Sequence, residues 1–226
     1  MGKKTSDKQN EVLQKIAILG IKLVNYLPKK AIKVKGYVIN PCKHVFYPGK
    51  TSISNFFVKH IDVNKGDIVL DMGCGTGILA ISCAKIASKV VAVDITSEAV
   101  DCAQKNIKLN NLEYKIDVRK SDLFQRLKKD EKFDLIIFNP PLLPGIPKTK
   151  DELMWFDQGG IIFRDFLRDV NFYLKKNGRI QVPYTSTAPL TRQQIESYFK
   201  KYGLNIKKKI EKRGIIGELI LYTLSF

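Results

Sequence analysis

Two stretches of the chain combine polar side chains with backbone that suits neither helix nor strand. The first is residues 133–145, FDLIIFNPPLLPG, where an apolar run ends in Asn139-Pro140-Pro141. The Asn139 side-chain oxygen and the Pro140 carbonyl are hydrogen-bond acceptors, and both prolines fix φ and bring no competing N–H. Two rigid acceptors converging on one NH₂ group would hold an amide or aromatic amine with its nitrogen lone pair facing an electrophile. A generic turn would explain one proline and the asparagine, but not the whole run.

The second stretch is VLDMGCGTG at 69–77, set between an apolar run and a helical pattern. Gly73, Gly75 and Gly77 let the backbone turn sharply and approach a ligand, and the helix that follows offers free N–H groups. The spacing is D-x-G-x-G-x-G, starting at Asp71, rather than the G-x-G-x-x-G of nicotinamide enzymes. An acid at the strand tip suits a ligand carrying an ammonium group and no pyrophosphate. Asp94 ends the next apolar run, where a carboxylate can accept both hydroxyls of a ribose, and Asp122 follows the third, where it can hold an adenine amino group. Singly, each of these residues could be a helix cap or turn former. Together they place polar groups at four successive strand ends, where open α/β sheets bind ligands.

Those positions require elements that deliver them. Strand-like runs at 67–72, 89–95, 114–122, 133–138 and 178–184 alternate with helical patterns at 78–87, 97–110, 161–174 and from Thr191 to about 201. Such alternation with short connections predicts a mainly parallel sheet covered on both faces. LNIKKKIE and GELILYTLSF close the chain as two further strands, close enough in sequence to be antiparallel. Residues 1–60 read as an extension: a helix with Val12, Ile16, Leu19, Leu23 and Leu27 on one face, a strand-like KVKGYVIN, and a helix near 51–61. The domain proper is expected over 61–226.

Composition bounds the function classes. Lys and Arg number 39 against 22 Asp and Glu, a formal net charge of +17, which favours contact with polyanions such as RNA or reflects a solvated lysine surface. No run of about 20 apolar residues could span a membrane. Cys42, Cys74, Cys83 and Cys102 lie far apart with no Cys-x-x-Cys pair, which predicts neither zinc site nor disulfide scaffold and suggests a reducing compartment, the cytoplasm. Two histidines are too few for most metal sites, so no metal is expected. YPGKTS at 47–52 imitates a P-loop, but the first glycine of that motif would fall at His44 and no buried strand feeds it.

With these residues in view, the chain resembles the class I S-adenosylmethionine-dependent methyltransferases over about 40–226, through Asp71–Gly77, Asp94, Ser121-Asp122-Leu123 and Asn139-Pro140-Pro141. The resemblance implies a Rossmann-like fold: a seven-stranded, mostly parallel sheet with a reversed last strand. Within that class, HVFYPGKTS, NPPLLPG followed by WFDQGG, and Glu218 in the last strand look like the HemK-type group. The likeness implies S-adenosyl-L-methionine as cofactor, held by Tyr47, Pro48, Thr51, Ser52, Asp71, Gly73, Cys74, Gly75, Gly77, Asp94, Ile95, Asp122, Leu123 and Asn139. It assigns catalysis to Asn139, Pro140, Pro141 and Leu142, with Leu142, Leu143 and Trp155 facing substrate. That group carries Tyr, Phe or Trp where this sequence has Leu142, which removes a ring face from the acceptor site. The expected target is a glutamine amide of a translation protein of release-factor type. The alternatives are an exocyclic amine of RNA or DNA, suggested by the charge and by Lys148 and Lys150, and a cofactor-binding scaffold, suggested only by Leu142.

Overall fold

In the computed structural model, the residues described are 19, 20, 23, 30–49, 53–214 and 217–226. The chain divides into two compact units, residues 1–30 and residues 31–226. In the first, Leu19 and Leu23 are helical and exposed; the other members of the expected apolar face, Val12, Ile16 and Leu27, lie outside the described residues.

The second unit opens with an antiparallel hairpin, β1 (Ile32–Val34) and β2 (Tyr37–Ile39), and a short helix α1 (Ile53–Lys59). Alternating elements follow: β3 (Ile68–Met72), α2 (Ile78–Ala84), β4 (Lys89–Asp94), α3 (Ser97–Leu109), β5 (Ile116–Lys120) and β6 (Phe133–Phe138). Then come α4 (Ile161–Asp169), β7 (Leu174–Thr185), α5 (Arg192–Lys201), β8 (Asn205–Gly214) and β9 (Gly217–Ser225). Seven strands form one sheet in the order β5-β4-β3-β6-β7-β9-β8. All neighbours are parallel except β9, which runs antiparallel to β7 and β8. The expected mostly parallel sheet with a reversed last strand is therefore what forms.

Strand residues alternate between two cores, and because both faces are covered the strands read as unbroken apolar runs. Leu70, Met72, Val91, Val93, Ile136 and Phe138 join Phe163, Phe166, Ile195 and Phe199 of α4 and α5. Val69, Val90, Ala92, Leu135 and Ile137 face the other way, onto Phe56 and Phe57 of α1 and the apolar residues of α2. Thr191 caps α5 through a full capping box with Gln194, as its hydroxyl predicts. Two boundaries differ most from expectation. The helix from 161 stops at Asp169 and tightens into a 3-10 turn at 170–172, and β7 starts at Leu174 because that residue pairs with Phe133.

The cysteines require a correction. Cys42 and Cys102 form a disulfide across 60 residues of sequence, while Cys74 and Cys83 are free and buried. Spacing gave no sign of the pair because the fold makes it, by laying the segment after β2 along α3. Cysteine usage accordingly no longer argues for a reducing compartment.

Candidate active site

Strand order reverses between β3 and β6, so their C-terminal ends border the crevice of the sheet. Asp71 pairs with Ile137 and Met72 with Phe138, which makes Gly73 and Asn139 leave the sheet side by side. On the β3 side, Gly73, Gly75 and Gly77 all take positive φ, the left-handed conformation that glycine adopts without strain. At Gly77 a side chain would also collide with packing: a Cβ there would sit 3.3 Å from the Ala103 backbone of α3. Cys74 contributes backbone, its N–H donating to the Val93 carbonyl at 2.9 Å, and its buried thiol is pushed well above the ordinary range.

The two acids fix this turn from below and beside. Asp71 is fully buried and accepts from the Ala80 N–H of α2 at 2.9 Å through Oδ2. Burial raises its pKa to about 8; the Ala80 N–H opposes the shift, and the nearby Asp94 charge adds to it. Asp94 accepts from the Gly75 N–H at 3.0 Å through Oδ2, and from the Thr96 N–H and hydroxyl at 3.0 and 3.1 Å through Oδ1. Burial raises its pKa too, against those donors. Asp94 thus spends part of its capacity on the turn, and Oδ2 keeps a lone pair for a ligand hydroxyl. Next to it Ile95 is exposed, an apolar surface of a size to support a planar base. Exposed Asp122 sits at the end of β5, where buried Ser121 ties the step together, accepting from the Arg126 N–H and donating to the Leu123 carbonyl.

A strap, residues 38–49, crosses beside this turn. Asn110 bonds both the N–H and carbonyl of Val38, and Asn106 does the same for Asn40 while also donating to the Thr76 carbonyl. The Cys42–Cys102 bond adds a covalent tie to α3. Val45 is buried, with Cγ1 4.0 Å from where Gly75 would carry a Cβ. Tyr47 packs on the α1–α2 core and Pro48 is buried, its carbonyl accepting from Asn55 of α1. Thr51 and Ser52 lie outside the described residues.

On the β6 side, Asn139 Nδ2 donates to the Ser54 hydroxyl of α1 at 3.2 Å. Its Oδ1 is buried and, with Asp71 Oδ1, lacks a hydrogen-bond partner among the described residues. Leaving a buried polar oxygen unpaired costs on the order of 1–3 kcal/mol, so two such oxygens at adjacent strand ends mark a place built for a polar group that arrives from outside. Pro140, Pro141 and Leu142 border an apolar hollow with Phe163, Pro183 and Leu190, and Leu142 packs partly against the α4–α5 core.

The segment from 139 to 160 is held by its own backbone. Leu143 donates to the Trp155 carbonyl at 2.8 Å and accepts from the Asp157 N–H at 3.0 Å. Its side chain is buried, so Leu143 anchors the loop and does not line the rim as a substrate contact would. Buried Asp157 receives the Ile162 and Phe163 N–H groups at the start of α4. Gly160 is left-handed and its Cβ would fall 2.5 Å from the Leu190 side chain, so any other residue there is strained and must displace Leu190. Trp155 meets Phe46 edge-on at 5.0 Å, and His44 meets Asp151 at 2.7 Å, so the strap and the loop touch. Phe156 is buried packing.

The fold thus gathers Asp71, the glycines, Asp94, Ile95, Asp122 and Asn139 around one crevice, and sends Leu143 into packing. Sequence reading missed Ser54, Asn106 and Asn110. A capped-helix pattern marks α3, but nothing local says that two of its asparagines will each clamp a distant backbone unit.

The family profile described as Methyltransferase small domain matches residues 44–210. A relative from Methanocaldococcus jannaschii, provisionally named a protein N5-glutamine methyltransferase, is 36% identical over 189 residues, covering 80% of this chain and 91% of its own length. A release factor glutamine methyltransferase from Streptococcus pneumoniae is 33% identical over 147 residues, which are 59% of this chain and 50% of that protein. Among solved structures, a ribosomal protein L11 methylase from Lactobacillus delbrueckii subsp. bulgaricus superposes with a TM-score of 0.62 at 24% identity, covering 88% of this chain and 91% of that one. At that identity the likeness concerns the fold alone.

Proposed function

The chain belongs to the methyltransferase small domain family, and from that premise we propose that it methylates a glutamine side-chain amide in a translation protein. The observation that carries the reading is the pair of unpartnered buried oxygens, Asp71 Oδ1 and Asn139 Oδ1, at neighbouring strand ends. When bound, S-adenosylmethionine supplies an electrophilic methyl group on a sulfonium. Asp71 suits its ammonium group, Asp94 its ribose, and Ile95 with Asp122 and Leu123 its adenine, around a turn that Gly73, Gly75 and Gly77 keep open. Tyr47 and Pro48 would close this side.

An amide nitrogen is a poor nucleophile because its lone pair is delocalised into the carbonyl. Asn139 Oδ1 accepts one of its N–H groups and the Pro140 carbonyl the other, which turns the lone pair toward the crevice and pre-orients it. Pro141 keeps the two acceptors rigid. Leu142 and Trp155 offer apolar surface to the flat amide.

The names of the two curated relatives support glutamine as the target and a release factor as its carrier. A release factor as target would place the protein beside the translation apparatus, in the cytoplasm. No helix among the described residues is long and apolar enough to cross a membrane. The test is incubation with methyl-labelled S-adenosylmethionine and host extract, followed by protease or nuclease. Label removed by protease and mapped to a glutamine is expected. Label removed only by nuclease would overturn the reading in favour of a nucleic-acid amine, the target that the net charge of +17 favours.

A further inference from the structure

Asn139 can act as described only if its amide presents oxygen, not NH₂, to the acceptor. The two orientations differ by a half-turn about one bond, and the terminal torsion of asparagine is broad and intrinsically two-fold. Something must choose between them. The strand backbone cannot, because it fixes Cα and Cβ and leaves the amide free to turn.

We propose that Ser54 is the positioning residue that makes this choice, a role that rests on the glutamine-amide reading above. Its hydroxyl receives Asn139 Nδ2 at 3.2 Å, which turns the NH₂ end toward α1 and leaves Oδ1 for the substrate. In the reverse orientation the hydroxyl would donate to the amide oxygen and the NH₂ group would face the substrate, so the bond as it forms holds the amide the productive way round. Ser54 is itself held in place: it is 2% exposed and lies on a helix whose next apolar residues, Phe56, Phe57 and Val58, are all buried. Asn55, the following residue, donates to the Pro48 carbonyl and so ties the same helix to the strap. A hydroxyl on a packed helix is a better reference point than one on a loop, since its rotamer and distance are fixed by the core.

Serine is also the right size for this task. A longer polar side chain would reach past Nδ2, and alanine would leave the NH₂ group buried and free to turn. The pairing spans 85 residues of sequence, and it puts a chemical reference for the acceptor site on the element that follows the strap.

The test has two readouts on the full chain. In ¹⁵N-labelled protein, the Asn139 side-chain amide is identified by its disappearance in Asn139→Asp. Ser54→Ala is expected to shift that pair and to speed its solvent exchange by about tenfold or more, with the backbone spectrum otherwise kept. An unchanged pair overturns the proposal, whatever the substrate proves to be. In the transfer assay with purified host release factor, Ser54→Ala is expected to lower kcat by on the order of 10- to 100-fold and to leave cofactor affinity unchanged. Ser54→Thr, which keeps the hydroxyl, should retain more activity than Ser54→Val, which has the same shape without it. Wild-type transfer with an equally active Ser54→Ala overturns the role of Ser54 and leaves the glutamine reading standing. A shifted Asn139 amide in a protein that methylates no protein substrate does the opposite.

Discussion

The two sides of the crevice hold polar groups at the same level of one sheet, by different means. Beside β3 and β4, both acids are tied into the turn itself: Gly75 to Asp94, Ala80 to Asp71, Thr96 to Asp94, with the strap bound over them by two asparagines and a disulfide. Beside β6, one residue is fixed, Asn139 on Ser54, and the loop after it depends on a few bonds of its own, Leu143 with 155 and 157 and Asp157 with the start of α4. The side proposed for the cofactor is built stiff, which suits a ligand of constant shape. The side proposed for the acceptor is a fixed point within a looser frame, whose loop meets the strap through Trp155 with Phe46 and Asp151 with His44.

The covalent tie is the sharpest way to break that contrast. Cys102→Ala opens a cross-link over 60 residues, and the chain-entropy relation gives a loss of about 4 kcal/mol. Urea unfolding should show that loss, and a reductant should reproduce it in the wild type; equal stability would mean that the strap is held by Asn106 and Asn110 alone.

Asn139→Ala attacks the other side. Transfer should fall by about 10²- to 10³-fold while cofactor affinity, read by calorimetry, stays within about threefold. A parallel loss of cofactor binding would show that the sides are not separable.

A smaller effect concerns Asp71. Its folded pKa of about 8 lies above the ordinary 3.8, so the folded chain binds a proton that the unfolded chain has released between those values. Its contribution to stability is complete below about pH 4 and is lost as pH rises through about 8. Asp71→Asn should remove up to about 1.4 kcal/mol per pH unit of that slope, measured by denaturant unfolding without cofactor. Identical slopes would mean that Asp71 is ionised when folded.

Smallest is Leu142→Tyr, which restores a ring beside the acceptor. Turnover should hold or rise by about twofold to tenfold; a severe loss would show that the loop is shaped around leucine.

The same contrast explains what was legible. The cofactor side obeys local rules: positive φ at Gly73, Gly75 and Gly77, acids at strand ends, a threonine cap on α3 at Thr96. Each leaves a mark within a few residues, and the alternation of strands and helices fixed the sheet. The links that build the strap and the acceptor side join residues 60 to 107 apart, as Cys42 to Cys102, Asn40 to Asn106, Ser54 to Asn139 and His44 to Asp151. Such pairs are made by packing and carry no spacing, which is why the cysteines were misread and Ser54 was passed over. Leu143 lies buried under the backbone of 155–157, a placement that an apolar residue beside a reactive motif does not announce.

The Cys42–Cys102 bond has one more consequence. It closes residues 42–102 into a covalent ring that contains β3, β4 and the whole glycine turn between them. A protease that nicks the backbone once inside this ring produces no separate fragment until a reductant is added. The glycine turn and its two acids thus lie inside a macrocycle, while Asp122, Asn139 and the loop after it lie on an open tail outside it.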